Sequence, residues 1–70
     1  MKANFIAIHD AESNYTYYIN NDKVDKITDS YNEDSGLYTV TVHFTDGKTE
    51  TYKLWENNYL YLEEQMIGNI

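Results

Sequence analysis

Residues 37–54 read LYTVTVHFTDGKTETYKL, and this stretch decides the fold. Its side chains alternate, with Tyr38, Val40, Val42 and Phe44 in one phase and Thr39, Thr41, His43 and Thr45 in the other. Such alternation, rich in β-branched and aromatic residues, marks a strand with one buried face. Asp46-Gly47 then signals a hairpin. A two-residue loop would set Val40 opposite Lys53 and Thr41 opposite Tyr52, mixing the faces. A three-residue loop from Thr45 to Gly47, with Gly47 left-handed, instead sets Val40 opposite Tyr52, Tyr38 opposite Leu54 and Thr41 opposite Thr51. A slip of one residue turns every side chain to the other face, so burial selects the three-residue loop.

Upstream, Ala3 to His9 is a β-like run with apolar residues in both phases, as suits a central strand or one covered by a partner. Asp10 to Asn14 is expected to be an exposed turn. Tyr15 to Asn20 alternates with Tyr15, Tyr17 and Ile19 in phase and is expected to pair with the first strand. Val24 and Ile27 are three apart, so Lys23 to Thr28 is either a single helical turn or a kinked strand with one residue re-aimed. Asp29 to Gly36 reads as a mobile polar loop. Downstream, Asn57 or Asn58 can cap a helix from about Tyr59 to Ile67, with Gly68 near its end. Tyr59, Leu60, Leu62, Met66 and Ile67 form its apolar arc, while Glu63 is expected at the periphery of that arc and Glu64 near its rim. The predicted architecture is a single small domain over residues 1–70, α+β, with an antiparallel sheet of about four strands and one C-terminal helix.

The chain has twelve carboxylates, five lysines, no arginine and eight tyrosines in 70 residues, for a net charge of −7. High charge alone would favour disorder, but 41% apolar and 16% aromatic residues supply a core. Without cysteine there is no disulfide to support so small a domain, and a homodimer is the expected supplement. The scattered lysines give no cationic footprint for nucleic acid or an anionic membrane. Neither a signal peptide nor a membrane span is evident, and the expected location is cytoplasmic.

No residue set meets the pattern of a catalytic or metal site, and neither an enzymatic activity nor a cofactor is expected. His43 with Asp46 and Glu50 falls on a polar strand face near a hairpin tip, without a cleft to tune a proton transfer. His9, Asp10 and Glu12 have no specific metal spacing, and Asp22, Asp25 and Asp29 lack the glycine and terminal glutamate of a calcium loop. Asn14-Tyr15-Thr16 is a formal glycosylation acceptor with no secretory context. What remains is surface. Tyr17, Tyr38, Tyr52 and Tyr59 lie in interior phases, whereas Tyr18, Tyr31 and Tyr61 are expected outside. Beside Asp22, Asp25, Asp29, Glu33, Asp34, Glu63 and Glu64 they would form an acidic, aromatic-studded surface. Carboxylates pair with lysine and arginine, and tyrosine rings stack on the same cations, so the expected partner is basic.

In size, acidity, tyrosine content and lack of cysteine, the whole chain resembles the small acidic proteins that bacteriophages encode to disable host factors. These include DNA mimics that occupy the DNA-binding surface of histone-like proteins or CRISPR nucleases. That resemblance implies a non-enzymatic inhibitor whose carboxylates stand in for phosphates on a basic DNA-binding protein of a bacterial host. Locally, Tyr17 to Asn20, Asp22, Val24, Ile27, Val40, Val42 and Asp46 to Lys48 are similar to the FlbD-type flagellar proteins. This similarity spans about half the chain and implies a structural or regulatory accessory domain. The acidic segment before Leu37 departs from the FlbD pattern.

Overall fold

A computed structural model of the chain describes residues 4–68. Among the described residues the fold is α+β, with five strands in two antiparallel sheets and a C-terminal helix. Strands β1 (Phe5–His9) and β2 (Thr16–Asn20) form one hairpin. Strands β3 (Val24–Asn32), β4 (Leu37–Phe44) and β5 (Thr49–Leu54) form a meander, and helix α1 spans Glu56–Gly68. Ala3, the predicted start of the first strand, lies outside the described residues.

The central hairpin has the register selected by burial. Val40 faces Tyr52, Tyr38 faces Leu54, Thr41 faces Thr51 and His43 faces Thr49. The Phe44 N–H donates to the Lys48 carbonyl at 2.8 Å, leaving Thr45 to Gly47 as the loop. Gly47 has φ +91°, a left-handed conformation that a Cβ would strain. Val40, Val42 and Leu54 are completely buried, and the Thr39–Thr41–His43 face is half-buried.

The segment around Val24 is the kinked strand of the two alternatives. A 3₁₀ turn covers Asn21–Lys23, and a bulge between Val24 and Lys26 leaves Asp25 without a cross-strand partner. The polar loop predicted from Asp29 to Gly36 is corrected. Asp29 to Asn32 are paired with β4, and only residues 33–36 turn. Pairing across the sheet overrides the weak strand propensity of Asp, Ser and Asn. The Asn32 side chain also accepts the Asp34 and Ser35 N–H groups, holding the turn closed.

The helix starts at Glu56, a turn earlier than predicted, with the Trp55 carbonyl accepting the Tyr59 N–H at 2.9 Å. Asn57 and Asn58 therefore lie in its first turn and are not the cap. Its apolar arc is narrower than expected. Leu62 is buried and Tyr59 and Met66 pack on the core, but Leu60 and Ile67 are half or more exposed. Glu63 is half-buried and Glu64 is exposed. Gln65 does something the wheel did not reveal. Its amide receives the Ala7 N–H and donates to the Ala7 carbonyl, both at 2.8 Å. The side chain thus substitutes for a neighbouring strand on the open edge of β1.

The sheets share one core of Ile6, Ile8, Ile19, Val40, Val42, Tyr52, Leu54 and Leu62. Phe5, on the opposite face of β1, is exposed, while Ala7 and His9 on that face are half-buried. Tyr17, expected inside, is 38% exposed and rests against the Tyr52 ring, 5.1 Å between centroids. Tyr15 lies just before β2 and is exposed.

Asp10 is buried, not the exposed turn residue that was expected. Its carboxylate accepts the Lys53 and Ser13 N–H groups at 2.8 Å each. The Ala11 N–H donates to the Lys53 carbonyl alongside. These bonds join the β1–β2 hairpin to the outer edge of β5. Burial by itself would raise the Asp10 pKa, but the bonds from Lys53 and Ser13 and the nearby His9 outweigh it, and the carboxyl is held below its ordinary value of 3.8. The charged form is therefore favoured by folding. Its contribution is complete above the ordinary carboxylate range and disappears as pH falls through the lowered folded value. Asp10→Asn keeps the shape but turns an amide N–H₂ toward a backbone donor. It is expected to cost about 1–3 kcal/mol in urea unfolding at neutral pH. The gap from the wild type should narrow as the pH is lowered below about 4.

Candidate functional site

Nine of the ten residues expected to form one acidic, aromatic surface are divided among three places, and the tenth, Glu64, is exposed on helix α1 apart from them. Asp22 and Asp25 sit at the start of β3, with the Asp22 carboxylate accepting the Asn4 amide. Tyr31, Glu33 and Asp34 lie at its other end, about 20 Å away at the rise of an extended strand. Tyr18 and Tyr61 are elsewhere. They line a groove of about 480 Å³ with Ala7, His9, Thr16 and Asn58. There the His9 ring donates from Nε2 to the Asn14 amide oxygen (3.1 Å) and meets the Thr16 hydroxyl at Nδ1 (3.0 Å).

Asp29, Tyr31 and Glu63 are brought together. Asp29 and Tyr31 point to the helix-covered face of β3, opposite Val40 and Tyr38 of β4. From the helix, Tyr59 stacks on Tyr38 with 3.9 Å between ring centroids and 4° between planes. Tyr31 also packs against Tyr38, 4.8 Å between centroids and tilted by 51°. The result is a ladder of three rings, Tyr59, Tyr38 and Tyr31, whose last member is 54% exposed. Glu56, Tyr59 and Glu63 are spaced i, i+3, i+7 and share one helix face. Their carboxylates therefore flank the ladder from the helix side, and Asp29 flanks it from the sheet.

The ionisation of the tyrosines registers this arrangement. Tyr38 is raised above its ordinary value of 10.0, first by desolvation and then by Glu56, Tyr31, Glu63 and Asp29. Tyr59 is pushed up to about 12 by desolvation, by its hydrogen bond to Asp29, and by the charges of Asp29 and Glu63. The Tyr59 hydroxyl donates to the Asp29 carboxylate at 3.0 Å. Carboxylates that oppose a phenolate would welcome a cation for the same reason. The ring faces add their own negative potential, and a guanidinium can stack on them while pairing with a carboxylate.

Tyr38, Tyr59 and Glu56 were missed as site residues. The alternation of β4 placed Tyr38 correctly in the inward phase but could not show that the sheet's end leaves its ring at a rim. Starting the helix at Tyr59 hid Glu56 altogether; the shared spacing of Glu56, Tyr59 and Glu63 was the available signal. The other candidates do not assemble. His43 meets the Thr28 hydroxyl at 3.1 Å across β3 and β4. Among the described residues no group of three or more His, Cys, Asp or Glu side chains is placed to hold a metal ion. No described helix is long and apolar enough to cross a membrane. Comparison with family models, with curated proteins and with solved structures gives no match, so the functional reading rests on this geometry.

Folding favours the protonated form of Tyr59, so its contribution is complete below the ordinary tyrosine value of 10.0 and is lost as pH rises toward about 12. Tyr59→Phe removes one hydrogen bond to an exposed carboxylate and should cost about 0.5–1.5 kcal/mol at neutral pH. Urea unfolding at increasing alkalinity should show the two proteins converging; a gap independent of pH would contradict the assigned hydrogen bond.

Proposed function

We propose that this chain is a non-enzymatic acidic binding protein that occupies the nucleic-acid-binding surface of a basic protein, as a DNA mimic of the phage-encoded inhibitor type would. The observation that carries this reading is the Tyr59–Tyr38–Tyr31 ladder with Asp29, Glu56 and Glu63 around it. Glu33 and Asp34 in the adjoining turn extend the negative surface past Tyr31, and Asp22 and Asp25 form a second acidic group at the opposite end of β3. Carboxylates thus stand at both ends and in the middle of β3. A nucleic-acid-binding protein presents a matching row of lysines and arginines built for phosphates. Carboxylates in such a row use the same cations, and exposed tyrosine supplies the contact area and stacking that phosphate lacks.

Competition is the direct test. Immobilised protein should retain histone-like or other basic nucleic-acid-binding proteins from a bacterial extract, and duplex DNA or raised salt should displace them. Changing Asp29, Glu56 and Glu63 together to amides should weaken retention by at least about tenfold, since several charge-assisted contacts are lost. Retention of a partner of ordinary charge, indifferent to DNA, salt and the triple change, would overturn this reading and favour an accessory domain of the FlbD kind.

A further inference from the structure

The three-stranded sheet has two outer edges, and the chain treats them differently. The edge of β5 is closed where the Lys53 N–H donates to the Asp10 carboxylate and the Lys53 carbonyl accepts the Ala11 N–H. The edge of β3 is nine residues long, and among the described residues no strand pairs with it. Its open groups can be assigned by alternation. The Lys53 peptide groups face Asp10 and Ala11, away from β4. Its partner Thr39 therefore turns its own groups toward β3, where it meets Ser30. Thr28 and Ser30 thus bond to β4, and the N–H and C=O groups of Ile27, Asp29 and Tyr31 point outward.

The same three residues carry their side chains on the helix-covered face, opposite Val42, Val40 and Tyr38. We infer that the β3 edge accepts an extended basic segment of the partner by antiparallel strand addition, with pairing at Ile27, Asp29 and Tyr31. Residues directly opposite in an antiparallel pair share a face, so side chains facing Tyr31 and Asp29 lie beside the tyrosine ladder. Charge complementarity specifies them as lysine or arginine, within reach of Asp29, Glu56 and Glu63. The position opposite Ile27 is apolar. The segment therefore reads basic, any, basic, any, apolar from its N-terminal end. Backbone pairing holds it, and alternate side chains give the selectivity.

A second copy of this chain is disfavoured at the edge. The pairing that aligns all three open positions would set Asp29 against its own copy, and like charges directly opposite are destabilising. The exposed charges of Asp25, Lys26 and Asp29 are the ordinary means of discouraging self-pairing at an edge.

This inference rests on the acidic face being the site for a basic partner, and the test separates the two. The probe is a synthetic peptide, Thr-Lys-Thr-Lys-Thr-Val-Thr, compared with the same peptide N-methylated at both lysines and the valine. Methylation removes the three N–H groups that would face β3 and leaves the charge unchanged. The unmodified peptide should bind at least about tenfold more tightly and should slow amide exchange at Ile27, Asp29 and Tyr31. Equal affinity of the two peptides, with those amides unprotected, would overturn strand addition while leaving DNA-competable capture of basic proteins intact. Peptide binding that survives the Asp29, Glu56 and Glu63 amide changes undiminished would overturn the charge assignment.

Discussion

The fold depends on the carboxylate of Asp10. The two sheets have no strand-to-strand ladder in common, and the Asp10–Ala11 turn supplies bonds that a ladder would otherwise provide. One oxygen receives Lys53 from β5 and the other receives Ser13 from its own turn. An acceptor-only group placed between backbone donors is satisfied without water, so its burial is tolerated where an unpaired charge would not be. With that junction made, Ile6, Ile8 and Ile19 are brought onto Val40, Val42, Leu54 and Leu62 as one core. Gln65 works similarly on the next open edge, presenting an amide where a strand's peptide group would stand. Two side chains thus do the joining for a domain that has no disulfide.

The acidic surface follows from what this joining leaves uncovered. The helix crosses the sheet so that Tyr59 covers Tyr38 and only part of β3, leaving Tyr31 at the margin. Glu56 is favourable in the first turn of the helix, where the macrodipole is positive. Near Tyr38 it joins Asp29 and Glu63 in a field that no described lysine contact neutralises. The structure supports carboxylates close together because each remains in contact with water, and the tyrosine hydroxyl of Tyr59 offsets some of their repulsion by donating to Asp29. A field of that kind attracts cations and repels phosphate.

Much of the sheet was legible from local pattern. Alternation from Leu37 to Leu54, with Asp46-Gly47 between its halves, was enough to specify the register, because only one loop length buries a consistent set of side chains. The segment from Asp29 to Asn32 was not legible, since its polar residues are strand residues only by virtue of pairing with Leu37 to Val40. The helix start was misplaced because Asn57 and Asn58 are good caps by composition, whereas the Tyr59 N–H bonds back to the Trp55 carbonyl and begins the helix at Glu56. Asp10 resembled a turn residue, and so it is; that it is buried depends on Lys53, 43 positions away.

For the candidate site the division is similar. The sequence by itself determined the excess of carboxylate over lysine, the number of tyrosines, and the exposure of Tyr18, Tyr31 and Tyr61, because these depend on composition and on phase within single strands and helices. Which of them act together was decided only by tertiary structure. Asp29, Tyr31, Tyr38, Glu56, Tyr59 and Glu63 come from a strand, its neighbour and a helix whose relative placement is set by contacts between distant residues. Periodicity reports which way a side chain points on its own element. It does not report what stands opposite, and the candidate site consists of what stands opposite.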